Sequence, residues 1–339
     1  MANDSETPAK AEEGAAPAKK PRFPYAAYFR EVDVMPALQM APEELPWMQA
    51  IPDNPAPRDM VFYLGCQALK TPHFVLEAMD LLRALDLDFA TIGGPANCCG
   101  SVHQNFGKDY AIAEKVSASA TDRIMAFKPN TVLTVCPNCT HQYENVVSKK
   151  TELPFEMTHF YDFILERAAQ LNFTRRLDLR VGLHRHLGNS HHQDRHGAIC
   201  AEVLGRIPGI TVVDLPAYPE LQHLCYMRAV RGVPDERYEE MMEEMFGAAR
   251  AAGCDVVATI YHACQRELCH EEQRGPFKVR SVLGILGEAM GFPPREDKIL
   301  QYKQMGDIEA VMRAVEPNRI AHGIAPDVAR AVLTSVLKG

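Results

Sequence analysis

Thr131-Val-Leu-Thr-Val-Cys-Pro-Asn-Cys139 and Val256-Val-Ala-Thr-Ile-Tyr-His-Ala-Cys264 are the stretches that decide the fold. Each is a short run rich in β-branched residues that ends in a turn carrying a cysteine. They align at an offset of 125 residues, Cys139 against Cys264. Working outward, Met60-Val-Phe-Tyr-Leu-Gly65 and Phe89-Ala-Thr-Ile-Gly93 read as strands ahead of the first stretch. Leu179-Arg-Val-Gly-Leu183 and Ile210-Thr-Val-Val-Asp-Leu215 stand in the same order ahead of the second. Amphipathic runs lie between them. One starts at Thr71-Pro72, an N-cap followed by proline at the first helical position, and runs to Leu87. Another runs from about Asp109 to Phe127. Alternating strands and helices predict parallel sheets, and the repeat predicts a duplication.

The fold class expected is therefore α/β: two tandem, pseudo-twofold-related α/β modules with mainly parallel sheets, plus an extended proline-rich N-terminal segment. The expected divisions are a disordered leader over 1–22, an extended docking segment over 23–58, a first module over 59–178, a second over 179–292, and a C-terminal helical segment over 293–339. Ten of the 24 prolines precede residue 58. The leader has too little apolar surface to offset its chain entropy. From Phe23 to Ile51 aromatic and aliphatic residues recur between prolines that disfavour long helices. That segment either wraps its own domain or docks on a partner. Beyond Gly291, Ile308, Val311, Met312 and Val315, then Val328, Val332, Val336 and Leu337, carry helical spacing that covers the sheet or meets a partner.

Composition narrows the function. With 47% hydrophobic and 24% charged residues, the 339-residue chain reads as an ordinary globular protein with ample core. A net charge of -8 argues against nucleic acid as partner. No apolar run reaches the roughly 18–20 residues a bilayer crossing needs. The first twenty residues show no apolar signal region, so a reducing cytoplasm is the compartment expected, where clustered thiols serve metals or redox chemistry.

Ten cysteines are present, and five of them form the pattern C-x31-C-C-x36-C-x2-C: Cys66, Cys98, Cys99, Cys136 and Cys139. Gly100 follows the adjacent pair and Pro137 lies inside the last motif. Each group falls just beyond a predicted strand, at the edge where parallel sheets bind ligands. Five thiols exceed the four ligands of a closed zinc site, and soft thiolates in excess suit iron and sulfide. A structural zinc with one spare thiol is the alternative.

This pattern resembles the cysteine-rich CCG domain of the heterodisulfide reductase B-subunit family, over roughly residues 59–292. The resemblance implies that Cys66, Cys98, Cys99, Cys136 and Cys139 hold a noncubane [4Fe–4S] cluster, at which a sulfur–sulfur bond is made or broken. The second copy departs from the family pattern. Arg185-His186-Leu187-Gly188 replaces Cys-His-Leu-Gly, Cys225 alone remains of the pair, and Tyr261 takes the first position of the last motif. Candidate ligands there are His184, His186, Cys225, His262, Cys264 and Cys269, with His223 nearby. Three readings stay open for this half: zinc on mixed imidazole and thiolate ligands, a second cluster with one histidine ligand, or an empty site. Eight of the thirteen histidines lie between His184 and His270, including His191, His192 and His196 at a helix start. Cys200 and Cys254 read as small core residues. His103 and His141, just past the cysteine loops, are candidate proton donors.

The functional expectation is an oxidoreductase subunit of a multi-subunit complex, acting on thiols, disulfides or sulfane sulfur. The chain has no C-x2-C-x2-C-x3-C run, dinucleotide fingerprint or P-loop. Electrons are accordingly expected from a ferredoxin-like iron–sulfur subunit resembling the family's C subunit, with a flavoprotein subunit as a further partner. Membrane association is expected only through such partners. The rival function is an electron-transfer or anchoring subunit linking a dehydrogenase to a quinone-side or ferredoxin partner.

Overall fold

The structure, a computed structural model, describes residues 23–48, 51–186, 191–218 and 233–337. Two four-stranded, wholly parallel sheets organise it. The first contains β1 (Met60–Gly65), β2 (Phe89–Gly93), β3 (Thr131–Thr134) and β4 (Glu156–His159), in the order β2-β1-β3-β4. The second contains β5 (Leu179–His184), β6 (Ile210–Asp214), β7 (Val256–Thr259) and β8 (Lys278–Ser281), in the order β6-β5-β7-β8. β1 is buried along its whole length, which is why it reads as an uninterrupted apolar run.

Helices α2 (Pro72–Ala84), α3 (Tyr110–Met125), α4 (Pro137–Gln142) and α5 (Phe160–Glu166) belong to the first module. Helices α6 (His191–Gly205), α7 (Asp235–Ala251), α8 (His262–Leu268) and α9 (Val282–Ala289) take the same places in the second. The modules meet through α2 against α9 and through α5 against α6. Exchanging the modules turns α2 into α6 and α9 into α5, so these two interfaces are one contact used twice. That is the expected pseudo-twofold relation.

Two edge strands lie outside the sequence expectation. Glu-Met-Thr-His (β4) and Lys-Val-Arg-Ser (β8) carry no apolar run, because an edge strand pairs on one side only and tolerates polar side chains. Thr71 stands at the N-cap position of α2, yet its hydroxyl does not cap the helix. It donates instead to the carbonyl of His262 at 3.3 Å, tying the two modules together.

The extended N-terminal segment is corrected. Tyr25–Gln39 is a fifteen-residue helix, α1, with Pro36 in its last turn. There the ring forgoes one N–H without breaking the preceding turns. Val34, Met35 and Leu38 are buried against Ile299, Val311, Val315, Val332 and Leu333. These belong to the C-terminal helices α10 (Lys298–Met305), α11 (Ile308–Ala321) and α12 (Pro326–Leu337). Of the two alternatives for this segment, the structure has it on the chain's own body. On its other side α1 packs on the 3₁₀ turn Gln67–Lys70 that follows Cys66. The buried Lys70 ammonium meets Glu31 at 2.6 Å, and Gln39 Nε2 donates to the Lys70 carbonyl at 3.1 Å. Among the described residues no helix is long and apolar enough to cross a membrane.

Leu38 is fully buried between α1 and the C-terminal helices, and its carbonyl accepts from Tyr302 Oη at 3.1 Å. Truncation by Leu38→Ala is expected to cost about 2–5 kcal/mol, measured by urea denaturation. A loss below about 0.5 kcal/mol would show that α1 is not part of the cooperative fold.

Candidate functional site

In a sheet ordered β2-β1-β3-β4 the chain leaves β1 in one direction and returns on its other side at β3. The crevice at the carboxyl ends of β1 and β3 is the topological switch point, where open α/β sheets bind ligands. Cys66 directly follows β1, and Cys136 follows β3 with one residue between. Cys98 and Cys99 follow β2 after the short turn Pro95–Asn97, and Cys139 lies in α4. All five side chains are buried, none forms a disulfide, and all five line one cavity.

The five thiols form one unbroken chain of contacts. Cys66 Sγ lies 3.7 Å from Cys98 Sγ. Cys98 bonds to Cys99, Cys99 to Cys139, and Cys139 to Cys136. Protons are unevenly shared along it. Hydrogen bonds from Cys139 and Cys98 hold the Cys99 thiol down to about 6. Cys136 is held well below its usual value by its bond with Cys139 and by His262. Cys139 is pushed up by its interactions with Cys136 and Cys99, which favour its protonated form, and by burial. Cys66 is raised by its bond to Cys98 and by burial. For Cys98 the contact with Cys66 lowers the value, but donation to Cys99 and burial raise it overall.

Two glycines allow this approach. A Cβ on Gly65 would fall 2.7 Å from Cys139 Sγ, and the residue has φ +60°. Gly100, directly after the cysteine pair, has φ +86°, and a Cβ there would sit 2.4 Å from the Ala113 carbonyl of α3. Only glycine combines that backbone conformation with that clearance. From outside the motif, Tyr28 of α1 places its hydroxyl 3.6 Å from Cys66 Sγ.

The sulfur-only donor set fits an iron–sulfur cluster. Five buried thiols cannot all ionise beside one another unless a positively charged group arrives with them. Thiolate ligation supplies that compensation, and the cavity gives the group a place on the side all five line.

The second module's candidates divide. His184, His186 and Cys264 come together, all buried, with ligand atoms within 4.8 Å of one another. His186 and Cys264 line the same cavity as the five cysteines, on its opposite wall. Cys269 does not join them: it is buried against α1 and the C-terminal helices, its thiol donating to the Arg266 carbonyl at 3.5 Å. His262 is also outside that group. It faces the first module, lining the cavity, bonding Cys136 and packing edge-on to Phe74. Cys225 and His223 lie outside the described residues. Cys200 and Cys254 are core residues, buried as read.

His103 and His141 do not line the cavity. His103 stacks on Tyr25 with ring centroids 4.4 Å apart, and burial lowers its basicity. His141 is exposed and bonded to Asn145. A buried network went unread in the sequence. His196 accepts from Tyr261 Oη at 2.7 Å through Nδ1, and its Nε2 donates to Asp162 Oδ2 at 3.0 Å. Both ring nitrogens of His196 are thereby engaged, so this group reads as a packed hydrogen-bond chain. The only sequence signal was Tyr261 itself, standing where the repeat expects cysteine.

Residues 60–144 match the family model of the CCG cysteine-rich domain, a span that takes in β1 through α4 and all five cysteines. Strands β1–β3 and their cysteine loops are thus similar to a CCG cysteine-rich domain. No curated protein matches the chain. Among solved structures, an aspartate racemase homologue from Pyrococcus horikoshii OT3 is similar at 14% identity and TM-score 0.32, over 69% of this chain and 97% of its own. A putative Asp/Glu racemase from Yersinia pestis is similar at 13% identity and TM-score 0.35, over 68% and 97%. At these scores the two overlaps carry no argument about fold or chemistry.

Gly100→Ala is expected to destabilise the protein by about 2 kcal/mol or more, because strain at positive φ adds to a backbone clash. Chemical denaturation measures it, with Gly94→Ala as control. Gly94 also has positive φ, but nothing lies within 4 Å of where its Cβ would be. A smaller loss at Gly100 than at Gly94 would refute the role assigned to the α3 contact.

Proposed function

We propose that Cys66, Cys98, Cys99, Cys136 and Cys139 hold a noncubane [4Fe–4S] cluster, and that the chain is a heterodisulfide-reductase-like redox subunit. The observation that carries this reading is the convergence of five buried thiols, each shifting its neighbour's ionisation, along one cavity. When bound, such a cluster supplies electrons one at a time and an iron that accepts an external sulfur. The protein's own groups do the rest. Cys99 and Cys136 are the thiols held closest to the ionised form that ligation requires. Tyr28 directs its hydroxyl at Cys66, and His262 bonds Cys136, so the outermost thiols of the row are oriented from other elements. Val102 and Phe106 add apolar surface to the cavity wall, which suits a thiol or disulfide substrate.

The mixed donor set of the second module limits the reaction to one thiolate-rich centre per chain. Handling of a thiol, persulfide or disulfide at that centre suits this arrangement better than holding both halves of a large heterodisulfide on paired clusters. Two-electron chemistry at a one-electron centre needs an electron-transfer partner. A ferredoxin-like subunit, with a flavoprotein further out, would meet that need in the cytoplasm. The second reading, a relay or anchoring subunit with no substrate of its own, would use the same cluster.

Anaerobic purification followed by iron and acid-labile sulfide analysis is expected to give about four of each per chain. Colourless protein lacking both would end the proposal in favour of a structural zinc. Cys99→Ser is expected to lower iron content by at least about half, and Cys200→Ser to leave it unchanged. Addition of small thiols should alter the paramagnetic spectrum of the oxidised cluster, and an unchanged spectrum would favour the relay.

A further inference from the structure

We propose that His184, His186 and Cys264 are ligands of a second, separate metal site for one zinc-class divalent ion, at the border of the shared cavity. Among the described residues, these are the second-module candidates that the fold brings together. His184 ends β5, His186 follows it by two residues, and Cys264 lies in the first turn of α8, just beyond β7. These are the switch-point positions of the second sheet, and Cys264 is the repeat partner of Cys139. The duplicated fold therefore brings its second donor cluster to the place where the first module has thiols.

Geometry and tautomer both suit a metal. Cys264 Sγ lies 3.4 Å from His186 Nδ1. Tetrahedral zinc, at about 2.05 Å from nitrogen and about 2.3 Å from sulfur, holds two such donors about 3.5 Å apart. Met245 Sδ lies 3.2 Å from His184 Nδ1. A thioether has no proton to give, so Nδ1–H is the donor in this contact, and the ring is held in one orientation and one tautomer, as a ligating histidine must be. All three side chains are buried, at 5%, 7% and 0% exposure.

Two neutral imidazoles and one thiolate suit a borderline-soft divalent ion such as zinc, and leave it with a net positive charge. His186 and Cys264 line the cavity, so the site borders the same space as the five cysteines. The site stands on its own donors, whether or not the first module carries iron.

The test is metal analysis of the anaerobically purified full chain, with zinc and iron counted separately. About one zinc per chain is expected, with both nitrogen and sulfur scatterers at the zinc X-ray absorption edge. Cys264→Ala and His184→Ala should each weaken zinc binding by at least about tenfold while iron stays at the wild-type level. Failure of wild-type protein to take up zinc on dialysis would overturn the site, as would zinc retained in both variants or a sulfur-only environment. Should those variants not fold, the conservative Cys264→Ser variant decides the matter: its zinc edge is expected to lose the sulfur scatterer, and a sulfur scatterer that persists counts against the proposal. Missing iron with zinc present would fail the cluster reading alone; missing zinc with iron present would fail only this one.

Discussion

Crowding of five sulfur atoms at one sheet edge is the constraint around which the rest of the structure is arranged. Buried thiols in mutual contact repel one another once ionised, and the backbone behind them must come unusually close. Gly65 gives Cys139 its room, and Gly100 lets the loop of the cysteine pair press on α3. The helix α1 then closes over the Cys66 turn, with the Glu31–Lys70 ion pair and the Gln39 amide fixing it there. Burial lowers the basicity of Lys70, and its partner Glu31 opposes that effect. The pair is better understood as specifying how α1 sits than as a large source of stability.

Duplication explains why one cavity has two chemically different walls. Each sheet has the same strand order, and the pseudo-twofold contact of α2 with α9 and of α6 with α5 turns the two switch points toward each other. The first module has sulfur beyond the ends of β1, β2 and β3. The second has imidazole at the end of β5, and Tyr261 in place of the leading cysteine of the α8 turn, with its hydroxyl joined to His196 and Asp162. His262 crosses between the halves: it grows from the second module but serves the first, bonding Cys136 while Thr71 holds its carbonyl. The modules are thereby coupled at the site itself as well as through their helices.

Much of this was legible in the residues. Buried parallel strands announce themselves as apolar runs, so β1, β3, β5 and β7 and the cysteines at their ends stood out without coordinates. The polar edge strands β4 and β8 did not, because pairing on one side leaves little mark on composition. Prolines between residues 23 and 51 argued for extended chain, yet Pro36 lies inside α1, whose last turn stays helical with Met35, Ala37 and Leu38 buried around it.

The chain by itself determined the α/β repeat, the position of the five motif cysteines relative to strand ends, and the glycine after the paired cysteines, since these follow from periodicity and local spacing. Only the tertiary structure decided which donors share a space. Cys264 and Cys269 are five residues apart, yet one faces the cavity and the other the core under α1, because a helical turn and the entry to the next one point them apart. His186 and His262 line one cavity for the converse reason: packing across the pseudo-twofold brings together side chains that no spacing rule connects.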